Sequence, residues 1–196
     1  MIFNSGYVMS ADLEILAAPM PQVLMLKPQR FTDSRGFFSE SYNKAVLERA
    51  GISVDFVQDN LAYSTSQLTL RGIHFQREPF GQAKLVSVLQ GAVLDVIVDL
   101  RQGSAKFGQH FAIRLSAKEG NQLFIPVGFA HGYLTLEPDT IFTYKVSNYY
   151  SPEHDSGIRF DDPTLRIEWG ANPKLFVVSR KDAELPCFDP NKEYFA

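Results

Sequence analysis

Two of the four histidines in this 196-residue chain have surroundings suited to chemistry. His74 lies in the run Arg71–Gln76, and His131 lies near the end of the run Gly120–Gly132. In the second run a Pro-x-Gly bend precedes the histidine. Proline fixes one backbone dihedral and glycine permits the left-handed one, so we expect a tight bend followed by a strand that carries His131 inward. An imidazole titrates near neutral pH and is therefore a suitable general base.

A buried cation beside two imidazoles favours reactions that form an oxyanion, and proton abstraction next to a carbonyl is the simplest of these. Lys84 is the candidate cation, because it precedes the apolar run Leu85–Leu89 in a register that favours an inward side chain. A fixed positive charge there would stabilise an enolate oxygen. Return of a proton from the opposite face needs a separate acid. Tyr144 is a candidate, although the pattern alone does not select it from eight tyrosines.

The spacing around both histidines resembles the two motifs of the cupin superfamily, whose small barrels carry their sites inside and usually hold a metal there. Metal-binding members have a second histidine two residues after the first, and a glutamate seven residues before a glycine. This chain has Gln76 at the first position and Lys84, counted back from Gly91, at the second. An ammonium repels a cation, and two imidazoles with one amide are a poor ligand set for iron or zinc. We therefore predict no metal and no cofactor.

The elements that must position these residues are mostly short strands. Residues 22–31 and 36–40 are predicted as opening strands, and Tyr42–Ala50 as a helix with Ser41 or Asn43 as its N-cap. Later strands are predicted over residues 84–89, 92–100, 107–115, 122–125, 132–136 and 141–146. Many short strands separated by glycine and proline are typical of a sandwich or barrel.

The strands Lys84–Leu89 and Ala92–Leu100 flank Gln90–Gly91 and are predicted to form a hairpin. In the second strand, Val93 and Ile97 share one face, while Leu94, Val96 and Val98 share the other. Together with the cupin resemblance, these patterns predict an all-β, cupin-type double-stranded β-helix (a jelly-roll barrel) with one or two short helices.

Composition limits the domain count, the partners and the location. With 45% hydrophobic residues the chain can bury one core, so we predict one domain over residues 1–196, with residues 1–20 as an N-terminal extension and 170–196 as an irregular tail on the barrel. A net charge of -3 argues against a nucleic-acid polymer. The lone Cys187 excludes an internal disulfide framework. Residues 1–26 lack the basic start of a signal peptide, and no apolar stretch reaches the roughly 20 residues of a membrane span, so we expect a soluble cytoplasmic protein.

Several longer segments carry a closer resemblance. They are Arg35–Asn43, Phe56–Asn60, Arg71–Gln76, Lys84–Val86, Asp95–Arg101, the His131 run, Tyr144–Lys145, Asn148–Pro152 and Ser179–Asp182. In this order they resemble the dTDP-4-dehydrorhamnose 3,5-epimerase family, over about residues 23 to 186. The resemblance implies a dTDP-linked 4-keto-6-deoxyhexose as substrate and inversion of C3 and C5 without a cofactor. It also implies a homodimer whose subunits exchange strands.

Four catalytic positions follow from this resemblance. His74 would be the base, and Asp182 would orient it and stabilise its protonated form. Tyr144 would be the acid on the other face of the sugar, and Lys84 would stabilise the enolate at C4.

The resemblance also implies ten substrate-binding positions. They are Arg35, Glu40, Gln58, Asp59, Asn60, Arg71, His131, Tyr150, Asp155 and Lys181. The basic residues among them match positions near the nucleotide and its diphosphate, and Tyr150 matches an aromatic ring that stacks on thymine. Asp155 stands where the family often has glutamate. Its shorter side chain does not extend as far toward the substrate.

Other interpretations fit the same residues. A lone strand histidine is often a hydrogen-bonded core residue. Lys84 can also be interpreted as a lysine on an edge strand with its ammonium in solvent. The role of Asp182 rests on the resemblance alone, and Asp95, which alternates with apolar residues, is expected to be structural. Three other functions remain open: an epimerase that inverts one carbon or uses another nucleotide, a metal-dependent cupin, and a sugar-binding cupin without catalysis.

Overall fold

The structure, a computed structural model, describes residues 13–195. Over these residues it contains two six-stranded β-sheets packed on each other, a two-stranded ribbon and two short helices. The strands are β1 (Leu13–Ala17), β2 (Leu24–Pro28), β3 (Phe31–Asp33), β4 (Gly36–Phe38), β5 (Gln58–Ser64), β6 (Thr69–Gln76), β7 (Lys84–Gln90), β8 (Ala92–Asp99), β9 (His110–Ser116), β10 (Gln122–Ile125), β11 (Phe129–Thr135), β12 (Thr140–Val146), β13 (Asp155–Gly157) and β14 (Val177–Val178). The helices are α1 (Lys44–Arg49) and α2 (Arg180–Ala183), and a 3-10 turn spans Pro173–Leu175.

The order of strands in the sheets is that of a jelly roll. The first sheet runs β1-β2-β10-β7-β12-β5. The second runs β13-β6-β11-β8-β9, and β14 pairs with β6 in parallel at its edge. Most neighbours within a sheet are distant in sequence, as expected when a chain winds back and forth between the two walls of a barrel. The predicted all-β, cupin-like fold with short helices is confirmed.

Apolar side chains form three layers. The middle layer lies between the two sheets and draws on both of them; its members include Val86, Ile97, Leu123 and Phe142. The outer side of the second sheet packs against the C-terminal segment, and the outer side of the first sheet packs against α1. In β8, Val93 and Ile97 belong to the middle layer while Val96 and Val98 belong to the outer one, so the predicted alternation of faces is confirmed.

The predicted hairpin between residues 84–89 and 92–100 is wrong. β7 pairs with β10 and β12 in the first sheet, whereas β8 pairs with β9 and β11 in the second. Gly91 joins them as a crossing between sheets; its φ is +78°, and a Cβ there would lie 2.4 Å from the Thr140 hydroxyl. The physical reason is burial: β8 is covered on both faces, and a two-stranded hairpin would leave one of them in water.

The opening segment contains more strands than predicted. Residues 22–31 and 36–40 correspond to β2, β3 and β4, and β1 adds a further strand within the predicted N-terminal extension. Residues 1–12 of that extension lie outside the described residues. The predicted helix is α1, two residues shorter at its start, with Asn43 as N-cap accepting a hydrogen bond from the Val46 N–H at 3.3 Å.

The C-terminal segment closes the outer side of the second sheet. It packs Phe188, Tyr194 and Phe195 against residues of β6 and β8. It also supplies β14 and α2, so it places the start of α2 beside β6. Between residues 13 and 195, no helix has the length and hydropathy needed to cross a membrane.

Candidate active site

His74 and Asp182 form a hydrogen-bonded pair that joins β6 to α2. The His74 Nε2 lies 2.8 Å from Asp182 Oδ1, and the other carboxylate oxygen accepts the Gly72 N–H at 3.2 Å. Burial alone would raise the pKa of Asp182, but the hydrogen bond and charge of His74 and the Gly72 N–H outweigh it, so the pKa of this carboxyl lies below its usual value. The pair therefore keeps an ionised carboxylate against the imidazole.

Next to the His74–Asp182 pair, β6 needs a glycine at position 72. At Gly72 φ is +123°, and a Cβ would lie 2.5 Å from the Cα of Gly132 on β11. Only two glycines let the strands approach this closely. The close approach brings His74 and His131 opposite each other in the register of β6 and β11.

His131 belongs to a second histidine–carboxylate pair. Its Nε2 lies 2.9 Å from Asp95 Oδ2 on the neighbouring strand β8, and both side chains are buried. Asp95 was expected to be structural; the structure places it inside the barrel as the partner of His131. The signal was present in the sequence, because Asp95 shares the inward face of its strand with Val93 and Ile97.

Lys84 points into the barrel at the start of β7, as predicted. It is 8% exposed, and within residues 13–195 its ammonium forms neither a hydrogen bond nor an ion pair. Burial lowers its pKa to about 8, while the negative charges of Asp95 and Asp155 partly oppose that shift. An ammonium with this environment is available to a ligand.

These side chains meet at two adjoining cavities, which we name the inner and outer chambers. The inner chamber has a volume of about 510 Å³; its lining includes His74, Lys84, His131, Tyr144, Asp182 and Arg71. The outer chamber has a volume of about 330 Å³; its lining includes Gln58, Asn60, Tyr150, Asp155 and Lys181. His74, Lys84 and Tyr144 line both, so they lie at the junction. Burial raises the pKa of Tyr144, against an opposing effect of the Arg71 charge.

The outer chamber is organised by polar contacts. Asp155 Oδ2 accepts a hydrogen bond from the Tyr150 hydroxyl at 3.1 Å and forms an ion pair with Lys181. Gln58 accepts the Tyr150 N–H at 3.2 Å and donates to Asn60 at 2.8 Å. Tyr150 is therefore held at both its backbone N–H and its hydroxyl, while the residue remains 55% exposed.

Gln76 does not face a metal site. Its amide donates to the carbonyls of Phe80 and Tyr149 at 2.8 and 3.1 Å and accepts the Ser151 N–H at 2.7 Å. It thus ties two loops to β6, including the loop that carries Tyr150. Within residues 13–195 there is no group of three or more His, Cys, Asp or Glu side chains with the geometry to hold a metal ion.

Three of the fourteen predicted site residues line neither chamber. Arg35 lies at the turn between β3 and β4, paired with Asp33 at 2.6 Å, and its side chain is 88% exposed. Glu40 accepts a hydrogen bond from Asn43 at 3.0 Å. Asp59 lies on the outward face of the first sheet. A single chain therefore brings eleven of the predicted residues together and leaves these three apart.

Sequence patterns missed the pairing of Asp95 with His131, and they missed Tyr133, which lines the inner chamber. Tyr133 follows His131 by two residues on β11 and so points to the same side of the sheet. Period-two alternation from His131 was the signal that could have found it.

Known proteins of one family are similar to this chain over most of its length. The family described as dTDP-4-dehydrorhamnose 3,5-epimerase matches residues 17–190. A protein of that name from Methanothermobacter thermautotrophicus is 43% identical over 185 residues, covering 94% of this chain and 99% of the relative. The crystal structure of dTDP-4-dehydrorhamnose 3,5-epimerase from Bacillus anthracis with TDP and PPi bound has 47% identity and a TM-score of 0.88, over 90% of this chain and 99% of that one. The structure of dTDP-6-deoxy-D-glucose-3,5-epimerase from Legionella pneumophila in complex with dTDP-4-keto-L-rhamnose has 40% identity and a TM-score of 0.85, over 89% and 92% of the two chains.

Proposed function

The chain belongs to the dTDP-4-dehydrorhamnose 3,5-epimerase family, and we propose that it inverts C3 and C5 of dTDP-4-dehydro-6-deoxy-D-glucose to form dTDP-4-dehydro-L-rhamnose. The observation that carries the proposal is the junction of the two chambers. There a carboxylate-bound imidazole, a phenol and a buried ammonium line one space. This set matches the needs of a proton transfer at carbon beside a ketone.

In this proposal His74 is the base. The C4 ketone acidifies the protons on C3 and C5, so no cofactor is needed to remove them. Because Nε2 of His74 is engaged by Asp182, the proton goes to Nδ1. The ionised carboxylate then stabilises the imidazolium that forms.

Lys84 stabilises the charge that develops on oxygen. When the carbon–hydrogen bond breaks, its electron pair forms a carbon–carbon double bond and the C4 oxygen becomes an enolate. With a pKa of about 8, Lys84 is mostly protonated at neutral pH and can hold this oxyanion. Because Lys84 is buried, its charge acts more strongly than it would in solution.

Tyr144 completes each inversion. Its raised pKa keeps the phenol protonated at neutral pH, so it can donate a proton to the carbon from the face opposite His74. The double bond then reverts to the ketone with inverted configuration. His74 then releases its proton to solvent and Tyr144 takes one from solvent, and the same sequence at the second carbon completes the reaction.

The outer chamber takes the nucleotide in this proposal. Thymine stacks on the exposed face of Tyr150, with Gln58 and Asn60 at its polar edge. The family resemblance assigns Arg71, which lines the inner chamber, and Lys181, which lines the outer one, to the diphosphate, where cationic donors are needed. Asp155 holds Lys181 in the free protein, so the diphosphate competes with this carboxylate for the ammonium.

We also propose that the protein is a homodimer in which Arg35 and Glu40 serve the neighbouring subunit. The ribbon that carries Arg35 exposes three large apolar side chains, Phe31, Phe37 and Phe38. Such a surface is typical of an interface. A dimer formed through this ribbon would bring Arg35 and Glu40 of one subunit to the outer chamber of the other. A cytoplasmic location, consistent with a single cysteine, is part of the same proposal.

NMR of dTDP-4-keto-6-deoxyglucose with the protein in deuterated water tests the function. We expect deuterium at both C3 and C5, and loss of both signals in His74→Ala. Exchange at one carbon only would identify a monoepimerase instead. Binding without exchange at either carbon would contradict catalysis and leave a sugar-binding protein.

A further inference from the structure

Tyr133 carries a polar group that the proposed mechanism does not use. The side chain is 4% exposed and lines the inner chamber, yet within the described chain its hydroxyl has no hydrogen-bond partner. Ser64 lies near enough to lower the pKa of Tyr133, but the two hydroxyls form no hydrogen bond; the Ser64 hydroxyl instead accepts one from Arg71 at 3.3 Å. Buried hydroxyls are nearly always paired, so an unpaired one that lines a cavity points to a ligand.

The position of this hydroxyl is fixed by packing. The ring of Tyr133 stacks on Phe142 with centroids 4.1 Å apart, and Phe142 also packs against His131 and Tyr144. Across the strands Tyr133 stands opposite Asp95, whose Oδ1 likewise has no partner among the described residues. Burial raises the pKa of Tyr133, and the nearby Asp95 charge adds to that effect. The phenol is thus a neutral, rigid donor in a polar part of the chamber.

We propose that the Tyr133 hydroxyl binds the C2 hydroxyl of the sugar and makes the enzyme specific for substrates that carry it. This inference rests on the proposed function. In that reaction the C4 oxygen pairs with Lys84, and the C3 hydroxyl changes its direction when C3 inverts. The C2 hydroxyl is the free ring hydroxyl that keeps its configuration through both inversions. A rigid phenol can therefore hold it throughout the reaction.

The free protein and its complex should respond oppositely to loss of this hydroxyl. Tyr133→Phe removes a buried polar group that lacks a partner, so the melting temperature should stay the same or rise. Substrate binding should weaken, because the C2 hydroxyl loses its donor. A side chain that serves only the fold would not separate stability from activity in this way.

The test measures kcat/KM for Tyr133→Phe and the parent protein with two substrates, dTDP-4-keto-6-deoxyglucose and its 2-deoxy analogue. We expect the variant to lose about tenfold in kcat/KM with the natural sugar and to match the parent with the 2-deoxy analogue. An equal loss with both substrates, or no loss with either, would overturn the proposal. Deuterium exchange by the parent protein is read first, since its absence would refute the proposed function rather than the role of Tyr133.

Tyr194→Phe is the matched control. Tyr194 is also buried, but its hydroxyl accepts the Asp189 N–H at 2.9 Å and lies in the C-terminal layer, away from both chambers. This variant should lower the melting temperature by about 2–4 °C and keep the same preference between the two sugars. A similar loss of melting temperature in Tyr133→Phe would mean that its hydroxyl is paired within the fold, against the proposal.

Discussion

The barrel contains two histidine–carboxylate pairs of nearly equal length in unequal surroundings. His74 and Asp182 are 2.8 Å apart, and His131 and Asp95 are 2.9 Å apart, with the two imidazoles opposite each other on adjacent strands. The first imidazole is 31% exposed and its carboxylate comes from the C-terminal helix α2. The second is 7% exposed and its carboxylate comes from the neighbouring strand of the same sheet.

The comparison shows that hydrogen-bond length alone does not select His74 over His131 as the proposed base. Both pairs have the orienting carboxylate that a catalytic imidazole needs. Only the His74 pair stands at the junction of the two chambers, where a substrate carbon can reach a ring nitrogen. We therefore expect the two pairs to fail differently when mutated: the first in turnover, the second in stability.

The largest effect on turnover is expected from His74→Ala. Loss of a general base typically costs 10²–10⁴-fold, and we expect about 10³-fold in kcat for deuterium exchange at both carbons. The melting temperature should fall less than in His131→Ala, because the imidazole is partly exposed and Asp182 keeps the hydrogen bond from the Gly72 N–H. Single-turnover kinetics and thermal melting, measured on the same preparation, check both parts. A kcat within tenfold of the parent would assign the base to another residue.

Asp182→Asn should have the next largest effect. The amide keeps the shape of the carboxylate but cannot stabilise an imidazolium, so kcat should fall, by less than in His74→Ala, while KM changes little. Asp95→Asn is the matched change in the other pair, and we expect it to lower kcat less than Asp182→Asn does. If the two variants reverse this order, the pair on β11 is the catalytic one.

Sequence patterns predicted the elements of this fold better than their pairing. The strands over residues 122–125 and 141–146, the short helix with its Asn43 cap and the two faces of β8 follow from local periodicity and capping. The partners of β7 and β8 do not, because the choice depends on covering both faces of β8, which is settled by strands distant in sequence. Local turn chemistry at Gly91 fits a hairpin and a crossing equally well.

The same limit applies to the site. Motif spacing selected His74, His131 and Lys84, and for Lys84 the register before the apolar run Leu85–Leu89 also indicated the inward side. Asp182 lies beyond the last barrel strand, in a segment without periodicity, so its approach to His74 depends on how the tail docks on β6. Resemblance identified it and periodicity could not. Arg35 remains a prediction that concerns a second subunit.

Lys84 gives a pH-dependent test with opposite signs for activity and stability. Its pKa in the folded protein is about 8, below the ordinary value of 10.5, so turnover should fall roughly tenfold between pH 7 and 9 as the ammonium is lost. Between about pH 8 and 10.5 the unfolded chain binds more protons at this residue than the folded one. The contribution of Lys84 to stability therefore rises with pH over that window, and the cost of burying its charge is fully present below pH 8.

Two variants sharpen this prediction. Lys84→Met should remove this contribution to the pH dependence of the unfolding free energy and lower kcat at pH 7. Asp95→Asn removes a negative charge that supports the ammonium, so the fall in turnover should begin at a lower pH. Chemical denaturation and kcat, each measured from pH 6 to 10, provide both curves. Identical pH profiles for the parent and Asp95→Asn would contradict an electrostatic link between the two residues.

The smallest effect on turnover, and the largest on stability, is expected from His131→Ala. This change leaves the carboxylate of Asp95 buried without its imidazole, and removing one partner of a buried pair typically costs about 3–5 kcal/mol of unfolding free energy. Turnover should fall less than tenfold, because His131 lines the chamber without lying at the junction of the two. His131→Asn, which keeps a side-chain donor for Asp95, should recover part of the lost stability. Urea denaturation followed by tryptophan fluorescence measures the unfolding free energy. Incorporation of deuterium into the sugar, under native conditions, measures turnover. If His131→Ala instead reduced kcat as strongly as His74→Ala at full stability, the two pairs would share the proton transfers, and the difference in their exposure would have no catalytic meaning.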